Sequence, residues 1–207
     1  MKRYVFLIFS IITSHVLYGQ SSDTVEYYST GQTRARGMMS HGLRVGAWKF
    51  FYLSGKQSAV ENYEEGKLNG EVVYFYPGGG VLGKENWVSG SLMDSAFYYH
   101  ENGRIEKKGK YNRSQYDGTW KHFFDNGKIS RTVRYEDGLP EGETKVFSMN
   151  GILLQSGSYH LGIEEGHWKF YDEAGRLDYE GSYKDGKRIG IWHQYDRKGK
   201  KKIWKGD

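Results

Sequence analysis

Residues that could carry acid–base or metal chemistry are scattered along this chain. The histidines are His15, His41, His100, His122, His160, His167 and His193, and each stands at a different position of a 24-residue sequence repeat. His167 and His193, which lie near one another in phase, would be separated by two strands, or about 10 Å, which is too far for them to share a metal ion. No cysteine is present, so neither a thiol nucleophile nor a disulfide is available. We therefore predict no catalytic residue, no metal site and no cofactor.

The remaining candidates for chemistry have ordinary structural explanations. The acidic pairs Glu64-Glu65 and Glu164-Glu165 fall beside or within polar turns, where carboxylates are solvated. The run Gly78-Gly79-Gly80 leads into Val81-Leu82, which reads as a strand, so no helix N-terminus is there to hold a phosphate. The sequence therefore predicts a protein that is not an enzyme.

A regular set of aromatic residues, here called the aromatic column, is the stronger candidate for a functional surface. Its members follow one another at intervals of 24 residues: Phe51, Phe75, Tyr99, Phe123, Phe147, Tyr171 and Tyr195. On a strand this position has the opposite parity to Trp168, so rings should project from both faces of a sheet. Two interpretations are open. The rings pack over glycines of neighbouring strands, or they present an aromatic strip to a partner protein, a glycan or a membrane surface.

The elements that position these rings follow a repeat that runs through most of the chain. Steps of 24 residues from Gly31 to Gly199 meet a glycine at every position, although the chain has only 29 glycines in 207 residues. Such regularity at a fixed period indicates a repeat architecture. An aromatic ladder accompanies it: Tyr63, Trp87, Tyr111, Tyr135, Tyr159 and Tyr183.

Each copy of the repeat reads as two strands and two turns. The segment from Trp168 to Tyr171 alternates with the two-residue period of a strand. The next turn carries Asn-Gly in several copies, as at Asn126-Gly127, and Asn-Gly favours a tight hairpin turn in which both central residues have positive φ. A second strand leads to a turn with Asp-Gly, as at Asp137-Gly138, which we expect to be the longer of the two. No stretch remains for a helix.

We therefore predict an all-β fold: an elongated single-layer antiparallel β-meander of about seven 24-residue hairpin repeats. With strands about 4.8 Å apart, seven repeats would form a sheet about 65 Å long. A single sheet encloses no thick aliphatic core, which agrees with a hydrophobic content of 37% and an aromatic content of 16%. Rings stacked along the sheet should take the place of a core.

One copy of the repeat resembles a known one. The segment from Tyr179 to Gly190 reads Y-E-G-S-Y-K-D-G-K-R-I-G and is similar to the MORN repeat, in which an aromatic residue and two spaced glycines follow Tyr-Glu-Gly. Copies such as Arg131-Thr132-Val133 lack that start, and the chain is more similar to the bacterial MORN-variant proteins of the YwqK-family antitoxin group. The resemblance covers about Val25 to Trp204. It implies a stack of hairpins, a scaffold or binding role, and an antitoxin-like identity.

The first residues have the features of a targeting signal. Residues 1–19 combine the basic pair Lys2-Arg3 with an apolar run from Tyr4 to Leu17, which is short for a membrane span. A charged start, a short apolar middle and a small residue at the exit are typical of a secretory signal peptide; an uncut membrane anchor is the alternative. We predict cleavage after Gly19, a MORN-like repeat domain over residues 20–207, and a location in the periplasm, at the cell surface or outside the cell.

The charge of the chain is only mildly basic, because loss of Lys2 and Arg3 lowers the formal net charge from +5 to +3. Positive charge collects near the C-terminus in what we call the basic tail: Lys198, Lys200, Lys201 and Lys202. Three hypotheses follow. The chain is a scaffold that binds an unidentified protein through its aromatic sheet surface, a peripheral protein that binds acidic lipid through the basic tail, or a carbohydrate-binding surface. We expect no nucleic-acid partner, because an exported protein does not meet one.

Overall fold

The computed structural model describes residues 21–204, and these residues contain no helix. Their seventeen strands are β1 (Ser22–Tyr27), β2 (Thr33–Ser40), β3 (Leu43–Phe51), β4 (Gln57–Glu64), β5 (Lys67–Leu68), β6 (Gly70–Phe75), β7 (Val81–Val88), β8 (Ser91–Tyr99), β9 (Ile105–Asn112), β10 (Gln115–Phe123), β11 (Ile129–Glu136), β12 (Leu139–Phe147), β13 (Leu153–His160), β14 (Ile163–Tyr171), β15 (Leu177–Lys184), β16 (Lys187–Tyr195) and β17 (Lys201–Ile203). The predicted signal peptide and its cleavage point lie outside the described residues.

The strands form one open antiparallel sheet, in which each strand position pairs with the next along the chain. Strands β5 and β6 are two pieces of one position, because both pair with β4 on either side of an interruption at Asn69. The single-layer meander of hairpins predicted from the sequence is therefore confirmed.

The turns with Asp-Gly are the tight ones, and the expectation that they would be the longer turns is wrong. Glu136 and Leu139 are paired strand residues, so the loop between them has two residues. Both of these, Asp137 (φ 47°) and Gly138 (φ 82°), have positive φ. This is the geometry that matches the right-handed twist of the flanking strands.

The turns with Asn-Gly are longer, and their asparagine does not take the conformation predicted for it. In the turn after β10 the amide of Phe124 donates to the carbonyl of Lys128, and Gly127 has positive φ (86°) whereas Asn126 does not. The side-chain oxygen of Asn126 instead accepts the amide N–H of Lys128 at 2.9 Å. Asparagine stabilises this turn through its own side chain, which is its other common role in turns.

One face of the sheet, here called the tryptophan face, carries four indoles that are at most 6% exposed: Trp48, Trp120, Trp168 and Trp192. Each indole lies over a glycine of the preceding strand, in the order Gly37, Gly109, Gly157 and Gly181. A Cβ atom on Gly157 would stand 2.1 Å from Cδ2 of Trp168, so a larger residue would leave no room for the ring. Tyrosines meet the indoles edge-on, as Tyr183 meets Trp192 with 5.1 Å between ring centroids.

In three repeats another residue stands at the position of these tryptophans. In each of them the residue eleven positions earlier is not glycine either. The three remaining pairs are Glu61 with Val72, Glu85 with Ala96, and Val133 with Thr144. The smaller residues that replace tryptophan are at most 2% exposed: Val72, Ala96 and Thr144. A side chain in place of glycine thus accompanies a smaller residue in place of tryptophan, so one member of each pair fills the space on the sheet.

Glu85 places a carboxylate on the tryptophan face with only 9% of the residue exposed. It accepts hydrogen bonds from the hydroxyl of Tyr98 at 2.5 Å, the indole of Trp87 at 3.0 Å and the hydroxyl of Tyr74 at 3.2 Å. These three donors offset the burial of the charged group. Burial, together with the adjacent carboxylate, raises the pKa of Tyr98 above its usual range, so the hydroxyl remains a donor.

An arginine covers the indole at each end of the tryptophan face. The guanidinium of Arg44 lies 4.4 Å from the ring centroid of Trp48, and that of Arg188 lies 4.4 Å from the centroid of Trp204. Arg44 also donates to Glu26 at 2.8 Å, and this hydrogen bond lowers the pKa of the Glu26 carboxyl. Cation–π contacts therefore cover the aromatic row near both ends of the described sheet.

Candidate binding surface

The aromatic column lies on the opposite face of the sheet. We call this the lysine face after the four lysines that share one repeat position: Lys49, Lys121, Lys145 and Lys169. Each member of the column is the last residue of its strand, in β3, β6, β8, β10, β12, β14 and β16. Phe51 shows the placement, because the guanidinium of Arg36, the cross-strand partner of Lys49, lies 5.4 Å from its ring. Rings therefore project from both faces, as the parity of the sequence predicted.

The rings of the aromatic column are separate from one another. All seven residues are half-buried. Successive members stand two strands apart, or about 10 Å, and no column ring contacts another ring among residues 21–204, whereas rings on the tryptophan face pack against each other. The column is a row of separated, partly exposed rings, and a continuous aromatic strip does not form.

The backbone that carries the first four rings is fixed by hydrogen bonds between repeats. In each case a side chain reaches the main-chain carbonyl of the column residue 23 positions later. The distances are 2.7 Å from Tyr28 to Phe51, 2.6 Å from Tyr52 to Phe75, 2.6 Å from Tyr76 to Tyr99, and 3.0 Å between His100 Nε2 and Phe123. The spacing of these rings is therefore held by the fold.

At the C-terminal end of the column a carboxylate gathers polar groups on the lysine face. Tyr195 donates its hydroxyl to Glu180, which also lies 3.2 Å from Nε2 of His167 and 3.5 Å from Nζ of Lys201. The Tyr195 hydrogen bond lowers the pKa of the Glu180 carboxyl. Three of these groups donate to a single acceptor, the Glu180 carboxylate. Its partners within the chain therefore satisfy the carboxylate, and no ligand is needed to account for the cluster.

The four lysines of the basic tail do not share one face. Lys198 and Lys200 lie in the turn before β17, where their amides donate to Oδ1 of Asp196 at 2.8 and 2.9 Å. Lys201 reaches Glu180 on the lysine face, whereas Lys202 pairs with Gln194 and points to the tryptophan face. The predicted basic surface is thus divided between the two sides of the sheet.

The histidines are dispersed, and within residues 21–204 no three His, Asp or Glu side chains come together in a way that could hold a metal ion. His122 lies on the tryptophan face, where burial and the nearby charge of Lys107 lower its pKa. His160 lies beside the Glu141 carboxylate, whose hydrogen bond raises the pKa of the imidazole. The same stretch of chain has no helix suited to spanning a membrane.

The fold defines the class of the protein: an all-β repeat protein built from 24-residue hairpins. Within that class, the family model of the MORN repeat variant matches residues 116–137 and 164–185. Each matched segment spans one hairpin, and the two together make up about a fifth of the chain. The chain therefore contains two repeats of the MORN variant type. The antitoxin-like identity and the export of the chain stay predictions.

No curated protein matches the chain in sequence. Among solved structures, a porin-like protein from Bacteroides uniformis ATCC 8492 aligns over 89% of this chain and 92% of its own, with 8% identity and a TM-score of 0.22. The TcdB2-TccC3 structure aligns over 84% of this chain but only 13% of its own, with 11% identity and a TM-score of 0.19. At these TM-scores the alignments do not indicate a common fold.

Two features of the lysine face escaped the sequence prediction. The first is that Arg36 stands directly across from Lys49, and the second is that Lys108 stands directly across from Lys121. Lysines are scattered through the sequence, and only the register of the strands shows which of them face each other. A shared spacing of 13 residues within each pair is the signal that could have identified them.

Proposed function

We propose that this chain is a non-catalytic repeat scaffold that binds another protein through the lysine face. The observation that carries the proposal is the contrast between the two sets of rings. Rings on the tryptophan face pack against each other, whereas the rings of the aromatic column are half-buried and make no ring–ring contact within residues 21–204. Aromatic side chains that are fixed in position but only partly covered are typical anchors of protein interfaces.

The dimensions of the sheet also favour a protein partner. The column runs over thirteen strand positions, and with about 4.8 Å between strands its seven rings extend over about 60 Å. A surface of that length exceeds what a small ligand could contact, and an interface needs roughly 800 Å² from each partner. The family match to a repeat type, rather than to an enzyme, supports the non-catalytic part of the proposal.

The proposal is tested by affinity capture with matched variants. The purified chain is immobilised and exposed to extract of its source cells, and retained proteins are washed at high salt and identified by mass spectrometry. The test variant replaces two neighbouring rings of the column, Tyr99→Ser with Phe123→Ser. The control replaces two exposed apolar residues in turns outside the column, Leu53→Ser with Met149→Ser, which are 57% and 54% exposed.

We expect a specific protein to be retained by the unmodified chain and by the control variant, and its retention to fall at least about tenfold on the column variant. Far-UV circular dichroism of each variant establishes that the sheet is intact. Equal retention by the column variant, with its sheet intact, would refute the proposed surface.

A further inference from the structure

The lysine face carries the same arrangement of three residues at two places, which we call the basic triads. The first triad is Arg36, Lys49 and Phe51, and the second is Lys108, Lys121 and Phe123. In each triad two cations stand directly opposite each other on neighbouring strands. In each, the first cation lies over the ring, at 5.4 Å in the first triad and 5.7 Å in the second. The triads are 72 residues apart, which is three repeats.

The opposed cations are not a requirement of the repeat. Like charges directly across a strand pair repel each other, and none of the four cations pairs with a carboxylate within the described part of the chain. The other repeats hold different pairs at the same positions: Val60 with Val73, Lys84 with Phe97, Thr132 with Lys145, Ser156 with Lys169, and Glu180 with His193. A local conflict that the fold does not need is typical of a functional site.

Each triad borders a groove in the lysine face. The first groove has a volume of about 420 Å³ and the second about 300 Å³. Their floors contain Gly37 and Gly109, which are covered on the other side by indoles. The first groove also contains Asp23, whereas the second is lined by the hydroxyl residues Ser95 and Thr119 and by a third cation, Lys110, whose Nζ lies 4.0 Å from Asp94 outside the lining. The second groove is therefore the more favourable of the two for an anion.

The two triads lie at the ends of one stretch, from β2 to β10, of a row of cross-strand partners that continues to β16. In order, the stretch is Arg36, Lys49, Val60, Val73, Lys84, Phe97, Lys108 and Lys121. Cations stand in pairs at the two ends of this stretch, and its centre holds three half-buried apolar side chains and one cation, Lys84. The complementary ligand is acidic at both ends and apolar between them. This pattern suits a polypeptide segment, whereas a membrane surface or a uniformly charged polymer presents anions along its whole length.

We infer that the two basic triads bind acidic side chains at the two ends of one extended segment of the partner protein. The inference rests on the proposed function and adds the chemistry of the partner. From β2 to β9 there are six strand spacings, so equivalent atoms of the triads lie about 29 Å apart. An extended chain covers that distance in about nine residues. The partner segment thus carries Asp or Glu at two points about nine residues apart, with apolar residues between them.

The experiment uses synthetic fluorescent peptides and the full chain. The first peptide has glutamate pairs about nine residues apart around a Val- and Thr-rich centre, and the second has the same composition with all glutamates in the centre. Binding is measured by fluorescence anisotropy near physiological salt. Polyglutamate and vesicles containing phosphatidylserine are measured alongside, so that other anionic partners are compared directly.

Variants separate the triads from general positive charge. One variant is Lys108→Gln with Lys121→Gln. The control is Lys198→Gln with Lys202→Gln, which removes the same charge from a turn and from the tryptophan face. We expect the first peptide to bind at least about tenfold more tightly than the second, and the triad variant to lose about tenfold in affinity. The control should change affinity less than about twofold, and the triad variant should be as stable as the unmodified chain because a repulsion has been removed.

The inference is overturned if the two peptides bind equally, if neither binds, if the control loses as much affinity as the triad variant, or if the vesicles or polyglutamate show the stronger dependence on the triads. Its failure is distinguishable from that of the proposed function. If the aromatic-column variant still loses a captured protein while the triad variant retains it, the scaffold proposal stands and the inference about acidic segments falls.

Discussion

Exchange of one tryptophan pair for a naturally occurring smaller pair tests the packing rule of the tryptophan face. The perturbation is Gly157→Val combined with Trp168→Thr, which copies the pair Val133 and Thr144 of the preceding repeat. Each substitution alone should be strongly destabilising. The two together should be much less so, because the space that one vacates is the space that the other fills.

The magnitudes follow from the contacts. Trp168 is 1% exposed, and truncation of a buried tryptophan costs roughly 3–5 kcal/mol. A side chain on Gly157 would begin 2.1 Å from a ring carbon, well inside the ordinary contact distance of 3.4 Å, and overpacking of this kind costs about 1–3 kcal/mol. If the pair acts as a unit, the double variant should be more stable than Trp168→Thr alone. The coupling free energy should then be at least about 1 kcal/mol.

The assay is urea unfolding of the four proteins of this cycle, followed by far-UV circular dichroism because one of the six tryptophans is removed. The free energies of unfolding give the coupling directly. A second cycle with Gly157→Val and Trp120→Thr, whose sites lie in different repeats, is the matched control and should be additive within about 0.5 kcal/mol. Additivity of the same quality in the first cycle would refute the packing rule.

Three further predictions concern single sites. Leu161 has positive φ (50°) and is 62% exposed; Leu161→Asn should therefore stabilise the chain by about 0.5–1 kcal/mol, seen as a higher Tm, and an unchanged Tm would contradict this. The folded state lowers the pKa of Glu26, so the contribution of its carboxylate to stability is complete above about pH 4.5 and is lost as the pH falls through the lowered pKa. The urea midpoint of Glu26→Gln should therefore fall less on acidification than that of the unmodified chain. Equal falls of the two midpoints would exclude this role. Glu85→Ala leaves three donors without their acceptor and should cost roughly 2–3 kcal/mol in urea unfolding, whereas the exposed Glu71→Ala should change little; similar effects of the two would contradict a structural role for the buried carboxylate.

The meander could be predicted from the sequence because its causes are local. A tight turn such as Asp137-Gly138 needs two residues with positive φ, and this requirement recurs as glycine in every copy but one, where Ser114 (φ 65°) takes its place. The lengths of the two turn types were predicted the wrong way round, and this error also has a local cause. The side chain of Asn126 accepts a hydrogen bond that stabilises a longer turn, and the Asn-Gly dipeptide alone does not indicate this. The sequence pattern alone does not show whether an asparagine serves as a positive-φ residue in a tight turn or as a side-chain acceptor in a longer one.

The two faces were harder to predict because their contacts depend on register. The parity of the strands separated Phe51 from Trp48 correctly, yet an irregularity in the register occurs in nearly every strand pair and shifts the partners. Without that register the opposition of Lys108 and Lys121 cannot be read from the chain. The pairing of each buried tryptophan with a glycine eleven residues earlier was visible in the sequence, but its meaning requires the position of the ring.

The separation of the two basic triads by whole repeats makes their distance a discrete quantity. A gene can gain or lose one 24-residue unit by unequal recombination, because each unit begins and ends in the same structural phase. Such an event between the triads would leave both of them intact and would change their separation by two strand spacings, about 10 Å. The distance between the triads therefore depends on the number of repeats between them. Selection could change that distance in steps of one repeat without altering a contact residue.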